Sequence, residues 1–132
     1  MRAGPALLLL AALAACTEPQ ECTLIGADTA VRVDTTALDL PAGATGELCL
    51  DDECTTADVG DPLFPPGVLG TPPIPDAATV QVSLTLVDAG GAQLWSAGAA
   101  VPTEVVEPNG PGCGQTTVLP RLRATPDGRL TP

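Results

Sequence analysis

Two hydrophobic patterns divide the chain. Residues 5–15 run without a polar side chain behind Met1 and Arg2. From residue 30 onward apolar and polar residues alternate in short stretches, the period-two signature of strands with one buried face. The alternation is strongest in Thr79–Leu86, where Val80, Val82, Leu84 and Leu86 fall on one side. Asp88-Ala89-Gly90-Gly91 predicts a turn, and residues 92–100 an antiparallel return. Ala30–Asp34 predicts a shorter strand with Val31 and Val33 inward. Near the end, one strand is predicted in which Val118, Leu122 and Ala124 share a face while Arg121 and Arg123 point away. Pro120 removes a donor from it and places it at an edge or a bulge. Asp127-Gly128 predicts a last turn. Short strands separated by Gly, Pro and Asp turns, with no helical period and no repeat, predict an all-β, antiparallel β-sandwich.

One segment breaks the alternation. Pro62, Pro65, Pro66, Pro72, Pro73 and Pro75 all fall within 61–76. Each proline removes a ladder donor, so the segment is no central strand. It reads as a stiff, extended crossover between the two halves of the sandwich, with Leu63, Phe64, Val68, Leu69 and Ile74 folding back onto the core. An exposed recognition loop is the other reading of these apolar residues.

The apolar run at 5–15 reaches roughly 17 Å as a helix, short of the ~30 Å of a hydrocarbon core. Behind Arg2 it reads as the h-region of a signal peptide. Leu13-Ala14-Ala15-Cys16 resembles the bacterial lipobox, in which small residues precede a cysteine that becomes the mature N-terminus. The resemblance implies cleavage after Ala15 and a diacylglyceryl thioether on Cys16, and two acyl chains suffice for stable anchoring. Ala12-Leu13-Ala14 also fits an ordinary secretory cleavage site. The cysteine count favours lipidation: five thiols are awkward in an exported chain, and one lipidated residue leaves four to pair. The expected organisation is a signal peptide at 1–15, a lipidated tether at 16–21 and one domain at 22–132, held on the extracytoplasmic face of a bacterial membrane.

Cys22, Cys49, Cys54 and Cys113 allow three pairings. Leu48-Cys49-Leu50-Asp51-Asp52-Glu53-Cys54 looks like a tight hairpin with Asp51-Asp52 at its tip. Leu50 then pairs with Glu53, and Cys49 faces Cys54 in a non-hydrogen-bonded pair, within disulfide range. Asp-Asp is a poorer turn than Asp-Gly, so a wider loop is an alternative, and the two cysteines stay close either way. Cys22 and Cys113 are left to join the ends of the domain. Zinc is disfavoured, because the spacing does not make ligand pairs and an export signal implies an oxidising compartment. Glu107-Pro108-Asn109-Gly110-Pro111-Gly112-Cys113-Gly114 reads as a rigid turn that delivers Cys113 to its partner. With the lipobox, the Cys-Leu-Asp-Asp-Glu-Cys hairpin and the Asp-Ala-Gly-Gly turn, it resembles small actinobacterial lipoproteins of unassigned function. That resemblance implies an immunoglobulin-like sandwich and a membrane location, and carries no functional residues.

Composition narrows the chemistry. The formal charge is −11, and loss of 1–15 with Arg2 makes it −12. That acidity argues against nucleic acid as a partner. The chain has no His, Lys or Tyr and only two serines, Ser83 and Ser96, so most nucleophile–base constellations cannot be assembled. No catalytic residue, cofactor or metal ligand is assigned, and the chain is expected not to be an enzyme. Glu47, Asp51, Asp52, Glu53, Asp58 and Asp61 crowd one acidic stretch. A calcium site there is conceivable, but the loop register is absent and a solvated, self-repelling tip is the better reading. Trp95, with Phe64 one of the chain's two aromatic residues, is expected in the core near a disulfide. These features suggest a membrane-tethered binding or cell-envelope interaction module with a protein partner. The alternative is an accessory structural subunit of an envelope complex.

Overall fold

The structure, a computed structural model, describes residues 21–27, 29–59 and 73–132. The expectations for 1–15, for Cys16 and for most of 61–76 lie outside the described residues.

Nine strands form among the described residues, with no helix: β1 (Val33–Asp34), β2 (Thr45–Leu50), β3 (Glu53–Asp58), β4 (Thr79–Val87), β5 (Gln93–Pro102), β6 (Glu104–Val106), β7 (Thr116–Val118), β8 (Leu122–Thr125) and β9 (Arg129–Thr131). They build a four-stranded sheet in the order β3-β2-β4-β5, a three-stranded sheet β1-β8-β9, and the two-stranded ribbon β6-β7. All pairings are antiparallel except β1 with β8.

Period two decides which side each residue takes. In β4, Val80, Val82, Leu84 and Leu86 are buried, while Gln81 and Ser83 are exposed. Leu48 and Leu50 of β2 and Val101 of β5 join them from the same sheet. Val31, Val33, Leu122, Ala124 and Leu130 meet them from the other side in one continuous cluster. The inner faces of the two larger sheets therefore share a single aliphatic core, and the molecule is an all-β sandwich carrying two disulfides. The β4–β5 turn is fixed by Asp88, whose Oδ1 accepts the backbone N–H groups of Gly90 and Ala92, both at 2.8 Å. Gly91 sits at φ +85°, where a side chain would be strained. Register slips by one residue after Leu86, which leaves Leu94 as a bulge between Gln93 and Trp95.

Two expectations are corrected. Residues 116–125 are not one strand: β7 pairs with β6, while β8 lies in the three-stranded sheet. Pro120 falls between them, at the switch from one sheet to the other, where no ladder donor is needed. Nor does the proline-rich segment connect the two halves of the sandwich. The strands flanking it, β3 and β4, lie in the same sheet on either side of β2. Of its apolar residues, Ile74 is described, and it packs against the core.

The four-stranded sheet has two ends. Thr79, Pro102 and the β2–β3 tip lie at one; Thr45, Asp58 and the 88–91 turn lie at the other. Gly43 and the 126–128 turn also belong to the second end. A Cβ at Gly43 would lie 3.5 Å from that of Ala89, and the indole Nε1 of Trp95 donates to the Thr125 carbonyl at 2.9 Å. The β6-β7 ribbon leaves from the first end, immediately after Pro102, and returns there before β8.

Candidate functional site

The β2–β3 hairpin has the anticipated register. Leu50 pairs with Glu53 and Cys49 with Cys54, and the two cysteines are disulfide-bonded with Cα atoms 4.0 Å apart. Because Leu48 and Leu50 point inward, Cys49 points outward. The bridge therefore lies on the outer face, level with Ser83 and Gly98. Trp95 packs against the core on the inner face, as expected, but the Cys49–Cys54 bridge is on the opposite side of its sheet.

Asp51 and Asp52 form the hairpin tip. Asp51 adopts φ +50°, a conformation Asp tolerates better than most residues. Its backbone N–H donates to the Gln81 carbonyl at 2.8 Å, and its Oδ1 accepts the Gln81 N–H at 2.9 Å. This carboxylate is thus a structural clamp between the hairpin tip and β4 rather than a purely solvated charge. Asp51→Ala is expected to cost about 1–2 kcal/mol, from a lost acceptor and a less tolerated left-handed backbone. Asp51→Asn keeps both features and should stay close to wild type in urea denaturation.

The acidic side chains do not converge. Glu47 and Asp58 are exposed, and Asp52 and Glu53 sit at the hairpin end; Asp61 is not among the described residues. Among the described residues, the single group with metal-ligand proximity is Glu47, Cys49 and Cys54, whose ligand atoms lie within 4.8 Å of one another. Both sulfurs are bonded to each other there, so neither is available as a thiolate. Asp34 and Asp127 are held below the usual carboxylate range. At Asp34 the causes are the Thr36 hydroxyl, donating at 2.6 Å, and the Thr36 N–H at 2.9 Å. At Asp127 they are the Thr125 hydroxyl and then the Arg129 guanidinium. A lowered pKa suits fixed anions, not a proton donor at neutral pH.

The second bridge, Cys22–Cys113, joins the N-terminal segment to the β6–β7 loop, with Cα atoms 5.5 Å apart. Two successive turns build that loop: Gly110 N–H bonds the Glu107 carbonyl and Cys113 N–H bonds the Gly110 carbonyl, both at 3.1 Å. Gly110, at φ +104°, supplies a backbone shape that a side chain would oppose. Asn109 grips the incoming chain twice. Its carbonyl accepts the Thr23 N–H at 3.1 Å and its Oδ1 accepts the Gly26 N–H at 3.0 Å. The sequence assigned this loop the delivery of Cys113 and missed the clamp. Asn within Pro-Asn-Gly signals a turn, and its second role depends on Gly26, 83 positions away, and on Thr23 beyond it.

A depression of about 480 Å³ lies beside the ribbon, lined by Thr29, Ile74, Asp76, Val105 and Thr116 among others. Its lining offers hydroxyls and one carboxylate, without a nucleophile–base pair. Neither protein-family models, nor curated proteins, nor solved structures give a match to this chain.

Proposed function

We propose that the chain is a lipid-anchored extracytoplasmic lipoprotein whose sandwich domain works by binding within the cell envelope rather than by catalysis. The carrying observation is the cysteine balance. Four of the five cysteines are paired in two bridges, and the remaining one, Cys16, stands at the end of the lipobox-like Leu13-Ala14-Ala15-Cys16. Bridges of this kind persist in oxidising compartments, which agrees with export. The non-catalytic part of the reading is supported by a chain without His, Lys or Tyr. The likeness of its motifs to small actinobacterial lipoproteins supports the membrane location.

Cys16→Ser tests the anchor. Wild type is expected in the membrane fraction and labelled by a radioactive fatty acid. The variant is expected to lose the label and to be released, or to remain uncleaved. Equal labelling of both proteins overturns the proposal.

A further inference from the structure

We infer that the pole of the domain formed by residues 22–27 and the β6–β7 ribbon rests on the lipid surface, with the turns at 41–43, 88–91 and 126–128 pointing away from it. This inference rests on the anchoring of Cys16 and adds which surface the membrane meets.

Three observations lead to it. The first is reach. Cys16 precedes Cys22 by six residues, at most about 20 Å of extended chain. Cys22 is covalently tied to Cys113, so the β6–β7 loop cannot leave the vicinity of the anchor while the bridge is intact. The second is polarity of the fold. The ribbon joins the sandwich at the Thr79–Pro102 end, and β1 and β8 both run away from that end toward Trp95. The nine residues of β4 span about 27–30 Å, which separates the anchored pole from the 88–91 turn.

The third observation is chemical and independent of the tether. The most exposed large hydrophobic residues among those described are Leu24 at 97%, Ile25 at 81% and Val105 at 59%. Leu24 and Ile25 lie on the segment clamped by Asn109, and Val105 lies on the ribbon that carries this loop. Aliphatic side chains held within reach of a lipid anchor gain by entering the headgroup–acyl boundary. Glu104 and Glu107 beside them are exposed and favour an uncharged or zwitterionic surface over an anionic one. The opposite pole is then what an envelope partner approaches first.

The test uses lipidated protein in phosphatidylcholine vesicles, with an environment-sensitive fluorophore on a cysteine introduced by Leu24→Cys or by Ala89→Cys. A lipid-borne quencher is expected to quench the label at 24 severalfold more than the label at 89. Ile25→Ser should reduce burial of the neighbouring label without releasing the protein. Equal quenching at both sites, or stronger quenching at 89, overturns the orientation. A parallel sample joined through its residue-16 sulfur to a maleimide lipid supplies the tether chemically. Orientation holding there while native protein fails to enter vesicles would refute lipidation alone, and loss of orientation in both samples would refute this inference alone.

Discussion

Replacing Cys22 and Cys113 by serine is expected to lower the unfolding free energy by about 4–5 kcal/mol, against about 2 kcal/mol for the same change at Cys49 and Cys54. The difference follows from loop size. One bridge closes a sequence separation of 91 residues and the other a separation of 5, and the unfolded chain gains more freedom when the longer loop opens. The native contacts reinforce the ranking. Without its disulfide, the β2–β3 hairpin keeps six register pairs, the β2–β4 ladder and the Asp51–Gln81 clamp. The N-terminal segment keeps the two hydrogen bonds to Asn109, both at exposed positions. Urea denaturation of the two double variants beside wild type measures the ranking. Hydrogen exchange separates global from local loss: if protection falls at 23–27 while β4 is unchanged, the long bridge fastens a strap and does little for the core.

The contrast between those bridges shows what kind of information the sequence carries. The hairpin register was legible because two cysteines five apart, with a two-residue tip between them, admit little slippage: moving by one residue would point Leu48 and Leu50 at water. The inner face of β4 was legible for the same reason, since four aliphatic residues alternate with Gln81, Ser83 and Thr85. Strands β6 and β7 were not. Glu104-Val105-Val106 and Thr116-Thr117-Val118 have three residues each and no alternation, and they pair across a loop whose two turns run from Glu107 to Cys113. Pro120 misled for a related reason: it marks a change of sheet, and nothing local distinguishes that from a bulge.

The sheet order was hidden in the same way. Turns name neighbours, as in β2–β3 and β4–β5, whereas β2–β4 and β1–β8 are contacts across long stretches of chain. What composition did establish was where charge is concentrated, and it could not show how each charge is used. Asp51 lies in the acidic run, yet its carboxylate serves the backbone of a residue 30 positions away. The pole at residues 22–27 is similar. Leu24 and Ile25 read as an unremarked apolar pair until Asn109 and Cys113 place them beside the ribbon.

Leu84→Ala is expected to destabilise the domain by about 3–5 kcal/mol, a large share of the ~5–15 kcal/mol that ordinarily separates folded from unfolded chains. Leu84 is fully buried at the middle of β4, with Leu48 and Ala97 beside it in the ladder and Val82 and Leu86 above and below on the same face. Among the described residues the sandwich interior is aliphatic, with Trp95 at its margin, so none of the fully buried side chains has a ring to swing into the vacated space. Ala97 has no rotamer with which to fill it, and Leu48 is already buried on all sides. The transfer cost of the lost methyl groups therefore adds to the cost of a cavity that cannot collapse. Gln81→Ala, three residues away on the outer face, keeps its backbone bonds to Asp51 and should change stability by no more than about 0.5 kcal/mol. Denaturant midpoints of the two variants test the alternation directly. A Leu84→Ala loss below about 1 kcal/mol would mean that the two sheets do not close on this residue, and the shared core across the sandwich would have to be abandoned.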